Sequence, residues 1–417
     1  MREYTFGYVR RYPRQAPPQV RSVLAKLELC RTKALAGRTY KCPRCQHECQ
    51  VYNSCTDRHC PLCSGAKRAD WMDKTAQLLL PKIPYFQVVF TLPESLSRFT
   101  LGNRRQMYGL LFRSAWAALE ERLREEQGIE PAALMVLHTW NQELDHHPHL
   151  HAVVPGGGPS LKGKRWRYTR HPWHRRRRKR YLVDNRELSR RFRDKFIAGM
   201  KRLHRRGEFQ FGPGSLVRDY KDFVAWVERV ADQDWCVYIQ PPPADAPDPR
   251  QVLKYLARYL TGGPISDRRL ISHENQEVTF WARSKDKQAG NPSRPFSLPG
   301  SEFIRRWAMH ILPKGFTKSR QYGGFSSRLR RHYLDRCRAL LDSSASEPTQ
   351  PPDREAEGAS ETALKCPHCA VPLECIQTKR RPSWRDIFDT HATCPVWYGP
   401  SFPSVWRFHP RPREPDG

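Results

Sequence analysis

The chain has 417 residues and a mass of 48.8 kDa, which is enough for about two or three domains. It carries 73 Lys and Arg against 42 Asp and Glu, a net charge of +31, so nucleic acid is the expected partner. No apolar run approaches the ~20 residues of a membrane helix, and the N-terminal residues contain no apolar signal region. Composition therefore excludes an integral membrane protein and favours a bacterial cytoplasmic protein associated with the nucleoid.

Cysteines cluster near the N-terminus in a pattern typical of metal binding. Seven of the 13 lie between residues 30 and 63, and fourteen residues separate two CxxC pairs. The four residues of these pairs are Cys42, Cys45, Cys60 and Cys63. Because each CxxC turn directs two thiolates at one ion, the pairs predict one closed, structural Zn²⁺ site in a domain at residues 1–80. Other possible ligands leave a second or competing site open: Cys30, Cys49, Cys55, His47 and His59.

Strands and helices are mixed in the next part of the chain. A β-branched and aromatic run predicts a strand at Tyr85–Pro93, and the helical spacing of apolar residues predicts a helix at Arg104–Gln127. Two further strands are predicted at Ala133–Trp140 and His149–Val154. The mixture favours the α+β class for a central domain at 81–341.

The fourth of these elements carries a histidine pair. His149 and His151 lie two residues apart on a strand, so both imidazoles point to one face while Leu150 packs behind them. This arrangement is a candidate metal-binding edge, although an isolated HxH pair is also common in solvated segments.

A strongly basic segment follows the histidine strand. Eleven of the nineteen residues 162–180 are Lys or Arg, interleaved with Trp and Tyr, and a basic helix is predicted at Arg186–Arg206. Together they suggest a basic insert at about 160–206, in which guanidinium groups neutralise phosphate and rings stack on unpaired bases. The alternative is a basic loop with only non-specific attraction. The candidate nucleic-acid-binding residues are Arg165, Trp166, Arg167, Arg175, Arg176, Arg177, Arg178, Lys179 and Arg180.

A tyrosine pair occurs further along the chain. Tyr255 and Tyr259 are four residues apart in a predicted helix at Gln251–Leu260, so they share one helix face. Such pairs usually pack in a core. A tyrosine hydroxyl beside a metal ion is, however, also a nucleophile for phosphodiesters.

The C-terminal part has a different composition. A stretch rich in Ser, Pro and Glu predicts a disordered linker at 342–365, before a small cysteine-containing tail at 366–417. The tail begins with a CxxC pair at residues 366 and 369, which is half a zinc site. Cys375, His391 or Cys394 is expected to complete it.

Six blocks between about residues 30 and 330 carry a family resemblance. They are CRTKALAG, YNSCTDRHCPLC, PYFQVVFTLP, LHTWNQELDHHPHLHAVVPGGG, VLKYLARYLTGGPISDRRL and ILPKGF. In this order they resemble the rolling-circle insertion-sequence transposases of the HUH, two-tyrosine class, which have an N-terminal transposase zinc-binding domain. The resemblance implies an HUH endonuclease core, in which an antiparallel sheet carries the histidine pair on a central strand.

The resemblance also implies a catalytic metal site. His149 and His151 are expected to bind Mg²⁺ or Mn²⁺. Because such cations prefer oxygen, a third ligand from Gln, Glu or Asp is expected, and Gln142 is the candidate. Glu143 and Asp145 are alternatives.

The implied activity is the nicking and rejoining of single-stranded DNA at mobile-element ends. Tyr255 and Tyr259 are the implied nucleophiles, and a 5′-phosphotyrosine is the implied intermediate. The sequence contains no Walker phosphate-binding loop, so a host helicase is the expected partner for unwinding. The alternatives are an HUH replication initiator or relaxase, and a zinc-dependent DNA-binding protein with structural His and Tyr pairs.

Overall fold

The fold is described here from a computed structural model for residues 4–63, 71, 73–81, 83–170, 181–242, 263–283, 292–342 and 364–390. Helices and antiparallel strands are mixed, which confirms the predicted α+β class. Among these residues, no helix has both the length and the apolar composition needed to cross a membrane.

The N-terminal module consists of two helices and a hairpin. Its elements are α1 (Thr5–Arg11), α2 (Pro18–Leu29), β1 (Gly37–Lys41) and β2 (Glu48–Tyr52). Pro18 occupies the first turn of α2, where its missing N–H is tolerated, and the helix buries Val20, Leu24 and Leu27 along one face. The chain leaves α2 at Cys30, so this packing fixes the position of the first cysteine.

A five-stranded sheet forms the centre of the molecule. The elements up to the end of its β4–β5 hairpin are β3 (Tyr85–Thr91), α3 (Ser97–Gly102), α4 (Arg104–Arg122), β4 (Ala132–Trp140) and β5 (His146–Pro155). The helix predicted at Arg104–Gln127 is α4 continued by a wider helical turn to Gln127, and it stops at Gly128, whose φ of +62° suits a helix end.

The second half of the central unit adds a small hairpin, two helices and an edge strand. These elements are β6 (Gly157–Pro159), β7 (Trp166–Tyr168), α5 (Asn185–Arg205), α6 (Tyr220–Ala231) and β8 (Val237–Gln240). Helix α5 begins where the Asp184 side chain accepts a hydrogen bond from the Glu187 amide. Although α5 is rich in Arg and Lys, it buries Phe192 and Phe196 in the main core, so one face of this helix is part of the fold.

The remaining elements complete the sheets. They are β9 (Leu270–Ser272), β10 (Glu277–Arg283), β11 (Ser293–Pro299), α7 (Gly300–Ala308), β12 (Ser319–Gly323), α8 (Arg330–Asp342), β13 (Glu374–Thr378) and α9 (Trp384–Thr390). The central sheet has the order β12-β4-β5-β3-β8, and all neighbours are antiparallel. Strand β5 is therefore the central strand, as the resemblance implied.

The two faces of the central sheet differ in what covers them. Alternating residues such as Phe86, Phe90 and Leu150 pack under α4, α5 and α6 in the main hydrophobic core. On the opposite face, Tyr333 and Leu334 of α8 cover one end of the sheet. The other end of that face carries the histidines of β4 and β5, and we call it the histidine face.

A second core joins the N-terminal module to a distant part of the chain. Strands β9, β10 and β11 form an antiparallel sheet whose inner side chains, such as Phe280, pack on Phe303 and Trp307 of α7. The same apolar cluster contains Tyr8 of α1 and Leu24 of α2. The N-terminal helices therefore pack on residues about 270 positions later in sequence.

The C-terminal segment also packs with the N-terminal module. Strand β13 pairs antiparallel with β1, which gives a small sheet of order β13-β1-β2. Ile387 of α9 is buried in the second core.

Candidate metal centres

Three histidines come together on the histidine face. His138 lies directly opposite His149 in the β4–β5 register, and His151 is two residues further along β5 on the same side. One ligand atom from each imidazole lies within 4.8 Å of the others. The ring centroids are separated by 4.6 Å for His138 and His151 and by 5.0 Å for His149 and His151. This is a three-nitrogen set that can hold one divalent cation.

His138 was missed by the sequence analysis. The structure offers it as the third possible ligand, where we expected Gln142. Gln142 lies in the exposed β4–β5 turn, and its carbonyl accepts a hydrogen bond from Arg269. The two alternative carboxylates face arginines: Glu143 lies 3.6 Å from Arg294, and Asp145 lies 2.8 Å from Arg306.

Neighbouring groups fix the orientation of the imidazoles, and burial sets their charge. Nδ1–H of His149 donates to the carbonyl of His147 at 2.8 Å, which leaves the Nε2 lone pair available. Nδ1 of His151 lies 2.7 Å from the amide of the buried Gln87. Burial lowers the pKa of His149 to about 3, and burial together with the nearby charge of Lys318 lowers the pKa of His151 to about 4. Both rings are therefore neutral at pH 7, as metal ligation requires.

Cationic and aromatic groups surround the triad. The Lys318 ammonium lies 5.0 Å from the Trp140 ring centroid, and Trp140 stacks on His138. Tyr238 of the edge strand β8 points to the same face and is 55 % exposed. This combination suits an anionic ligand with planar rings.

The turn between the two histidine strands is held by the second core. His310 donates from Nε2 to the carbonyl of Leu144 at 3.0 Å, so its Nδ1 accepts from Thr139 at 3.1 Å. Arg306 donates to the carbonyl of Glu143 at 3.0 Å. Leu144 itself is fully buried in the second core with φ +65°. These contacts fix the ends of β4 and β5 against α7 and the second core.

The other predicted site residues are only partly within the described chain. Tyr255, Tyr259 and the basic run Arg175–Arg180 lie outside the described residues. On the β6–β7 hairpin, Arg165 is exposed and Arg167 is half-buried. Trp166 packs against the core under α8, so only part of its ring can reach a ligand.

The cysteines form two clusters, and their grouping differs from the prediction. The first cysteine cluster joins four thiols within 4.8 Å of one another: Cys30, Cys55, Cys60 and Cys63. Its Sγ–Sγ distances include 3.5 Å for Cys30 and Cys63 and 3.6 Å for Cys30 and Cys60. Four sulfurs at 2.3 Å from a tetrahedral Zn²⁺ lie about 3.8 Å apart, so this cluster fits structural zinc.

The second cysteine cluster corrects the predicted grouping. Its four thiols, also within 4.8 Å of one another, are Cys42, Cys45, Cys366 and Cys369. The two N-terminal CxxC pairs therefore belong to different clusters, because the end of α2 and the loop at Cys55 complete the pair Cys60–Cys63. The tail pair is likewise completed by the N-terminal module and not by Cys375.

Comparison with known proteins identifies the family. Residues 132–332 match the family described as "Putative transposase", and residues 1–92 match the IS91-type "Transposase zinc-binding domain". The chain is 38 % identical over 359 residues to "Putative transposase y4qJ" of Sinorhizobium fredii, covering 84 % of this chain and 86 % of the relative. The chain belongs to the IS91 family of rolling-circle transposases.

A second relative agrees with this assignment. The transposase is 26 % identical over 330 residues to "Transposase for insertion sequence element IS801" of Pseudomonas savastanoi pv. phaseolicola, covering 78 % of this chain and 75 % of the relative. No solved structure matches the transposase significantly. The family predicted from the six sequence blocks is confirmed. The first cysteine cluster lies entirely within the matched zinc-binding domain, which supports structural zinc there.

Proposed function

We propose that this transposase nicks and rejoins single-stranded DNA at the ends of its mobile element. A tyrosine is the nucleophile, and a divalent cation is held on the histidine face. The observation that carries the proposal is the group of three imidazoles on adjacent strands of the central sheet.

The three imidazole nitrogens favour Mn²⁺ over Mg²⁺, the other cation expected from the sequence. The cation would be held by His138, His149 and His151. Three imidazole nitrogens suit Mn²⁺ better than Mg²⁺, which prefers carboxylate, carbonyl and water oxygens. When bound, the cation withdraws charge from a non-bridging oxygen of the scissile phosphate.

The chain's own groups would position the reactants. Lys318, beside the triad, adds positive charge where the phosphate approaches. Gln87 and the carbonyl of His147 hold the ring orientations of His151 and His149. The exposed ring of Tyr238 offers a base-stacking surface on the same face.

The chemistry is a transesterification that conserves the phosphodiester energy. The phenol of Tyr255 or Tyr259 loses its proton as its oxygen bonds to phosphorus. The bond from phosphorus to the 3′-oxygen breaks, which leaves a free 3′-hydroxyl and a 5′-phosphotyrosine. In the joining step, a 3′-hydroxyl attacks that link and releases the tyrosine. No nucleotide hydrolysis is required for either step.

The basic segment has a separate role in the proposal. Residues 162–180 bind the DNA backbone by charge neutralisation, so binding weakens steeply as salt rises. Unwinding is supplied by a host helicase, and the reaction takes place on chromosomal DNA in the bacterial cytoplasm.

A covalent-adduct assay tests the proposal. The purified protein is mixed with labelled single-stranded oligonucleotides from the element ends and Mn²⁺ or Mg²⁺, and protein–DNA adducts are separated on a denaturing gel. We expect a metal-dependent adduct that the double variant of Tyr255→Phe and Tyr259→Phe abolishes. Tyr238→Phe is the matched control, because this tyrosine is on the histidine face, and it should retain the adduct.

The ligand assignment is tested in the same assay. His138→Gln should reduce the adduct at least 100-fold, whereas His332→Gln on the exposed surface of α8 should not change it. An adduct that survives the Tyr255→Phe/Tyr259→Phe double variant, or that forms equally without divalent cations, would refute the proposed mechanism. Binding without any adduct would favour a zinc-dependent DNA-binding role.

A further inference from the structure

We propose that the second cysteine cluster binds its own structural Zn²⁺ and that this ion fastens residues 364–390 to the N-terminal module. The cluster joins thiols that are more than 320 positions apart in sequence. It would thus act as a clamp between the two ends of the described chain. The inference does not depend on the proposed cleavage mechanism.

The thiol geometry fits one tetrahedral ion. The Sγ–Sγ distances across the two segments are 3.3 Å for Cys42 and Cys369, 3.5 Å for Cys45 and Cys366, and 3.7 Å for Cys45 and Cys369. Tetrahedral Zn²⁺ with four sulfurs requires about 3.8 Å. Disulfide pairing does not account for the cluster. All four cysteines are free, and each Sγ lies within 4.8 Å of the other three.

The two halves of the cluster have the same backbone conformation. The amide after each CxxC pair donates to the carbonyl of its first cysteine: Gln46 to Cys42 at 3.0 Å, and Ala370 to Cys366 at 2.9 Å. Both Gln46 and Ala370 have positive φ, +61° and +55°.

A second backbone hydrogen bond is also found at the same position in both halves of the cluster. Cys42 donates from its amide to the carbonyl of His47 at 2.9 Å, and Cys366 donates to that of Val371 at 2.8 Å. Each half is therefore the same tight knuckle, and the two knuckles face each other. In both knuckles a residue other than glycine adopts the left-handed conformation, which is unfavourable by about 1–2 kcal/mol.

The protein contacts around the clamp are mostly polar and exposed. All five residues of β13 are exposed, so its pairing with β1 buries little apolar surface. The amide of Lys379 donates to Gly37, and Arg381 donates to the carbonyl of Cys55 at 3.1 Å. Apolar anchoring comes from the buried Ile387, with Trp384 and Phe388 partly buried against the same core. A short segment with so small a core needs a further constraint, and metal ligation is the usual one.

The contact between Arg381 and Cys55 links the C-terminal segment to the first cysteine cluster. Arg381 also donates to the carbonyl of Ser54 at 3.3 Å, so the C-terminal segment supports the loop that supplies a thiol to the first cysteine cluster. Loss of the second ion would release this support without removing any ligand of the first cluster.

Metal analysis provides the first test. To keep the histidine triad from adding an ion, the analysis uses protein that carries His138→Gln. Purified under reducing conditions, this protein should contain two zinc ions per chain. The Cys366→Ser/Cys369→Ser variant should contain one, while Cys375→Ser, which changes an exposed cysteine of β13 outside the cluster, should keep two. One zinc in the His138→Gln protein, or two after Cys366→Ser/Cys369→Ser is added to it, would overturn the proposal.

A cleavage experiment tests the clamp itself. A protease site is introduced within residues 343–363, the purified protein is cut, and the fragments are separated by size-exclusion chromatography. The C-terminal fragment should co-elute with the rest of the chain and separate when a chelator is added. Separation before chelation would overturn the clamp, as would co-elution of the cut Cys366→Ser/Cys369→Ser variant.

Discussion

Replacing Leu144 by Ala and by Gly should lower the free energy of unfolding by amounts that show the cost of its positive φ. Leu144 is fully buried in the second core although it belongs to the turn between the two histidine strands. Leu→Ala at a fully buried site costs about 2–5 kcal/mol of unfolding free energy. We therefore expect about 3 kcal/mol for Leu144→Ala.

The Gly variant makes the prediction more specific. In an ordinary segment, Gly is about 0.5–1 kcal/mol less stable than Ala. At φ +65°, however, a residue with a Cβ bears a penalty of about 1–2 kcal/mol that Gly avoids. Leu144→Gly should therefore be at least as stable as Leu144→Ala, which reverses the usual order.

Urea unfolding of the zinc-loaded protein, followed by tryptophan fluorescence, measures these differences. Leu216→Ala is the matched control, because Leu216 is 85 % exposed and its truncation should change the unfolding free energy by less than about 0.5 kcal/mol. The reasoning is refuted if Leu144→Ala behaves like this control, or if Leu144→Gly is clearly less stable than Leu144→Ala.

Two further predictions concern other parts of the core. Burial lowers the pKa of His310 from 6.5 to about 4, so the unfolded chain binds its proton more readily than the folded chain. The stability from neutral His310 is complete above pH 6.5 and is lost as pH falls towards 4, by up to about 3 kcal/mol. His310→Gln should flatten this part of the stability–pH curve in urea titrations, and an unchanged slope would contradict the assignment. Gly323→Ala should cost about 2–5 kcal/mol, because φ is +57° and a Cβ would lie 2.1 Å from the Pro131 carbonyl oxygen. Gly212→Ala, where a Cβ meets nothing within 4 Å, is its control in thermal melts, and equal melting temperatures would show that the Gly323 backbone adjusts freely.

Local patterns in the sequence predicted the elements of the central sheet. The strands at Tyr85–Pro93 and Ala133–Trp140 and the helix at Arg104–Gln127 agree closely with the structure. These elements follow from hydrophobic periodicity and from Pro and Gly at their ends, which act over a few residues.

Features that depend on strand pairing could not be predicted in this way. His149 and His151 were identified because their spacing of two is visible within one strand. His138 becomes a possible ligand only through the β4–β5 register, which aligns it with His149. A search of the preceding strand for a histidine that pairs with His149 across the hairpin would have found His138.

The cysteine grouping failed for a related reason. Spacing identified the CxxC pairs Cys42–Cys45 and Cys60–Cys63. It did not show which other cysteines complete the cluster of each pair. The pairing of β1 with β13 brings Cys366 to Cys42, and no pattern within either segment indicates that contact. The basic composition of α5 similarly concealed the buried Phe192 and Phe196 on its inner side.

The three imidazoles lie within fourteen consecutive residues, from His138 to His151, on two strands joined by a short turn. Closing such a short loop has a small entropic penalty, and contacts between near neighbours in sequence form early in folding. The ligand geometry therefore depends on one hairpin that can form before the distant ends of the chain meet. Insertions or deletions in the long basic stretch that follows β5 leave that hairpin's register unchanged, so the proposed DNA-binding segment can vary while the arrangement of the three imidazoles is preserved.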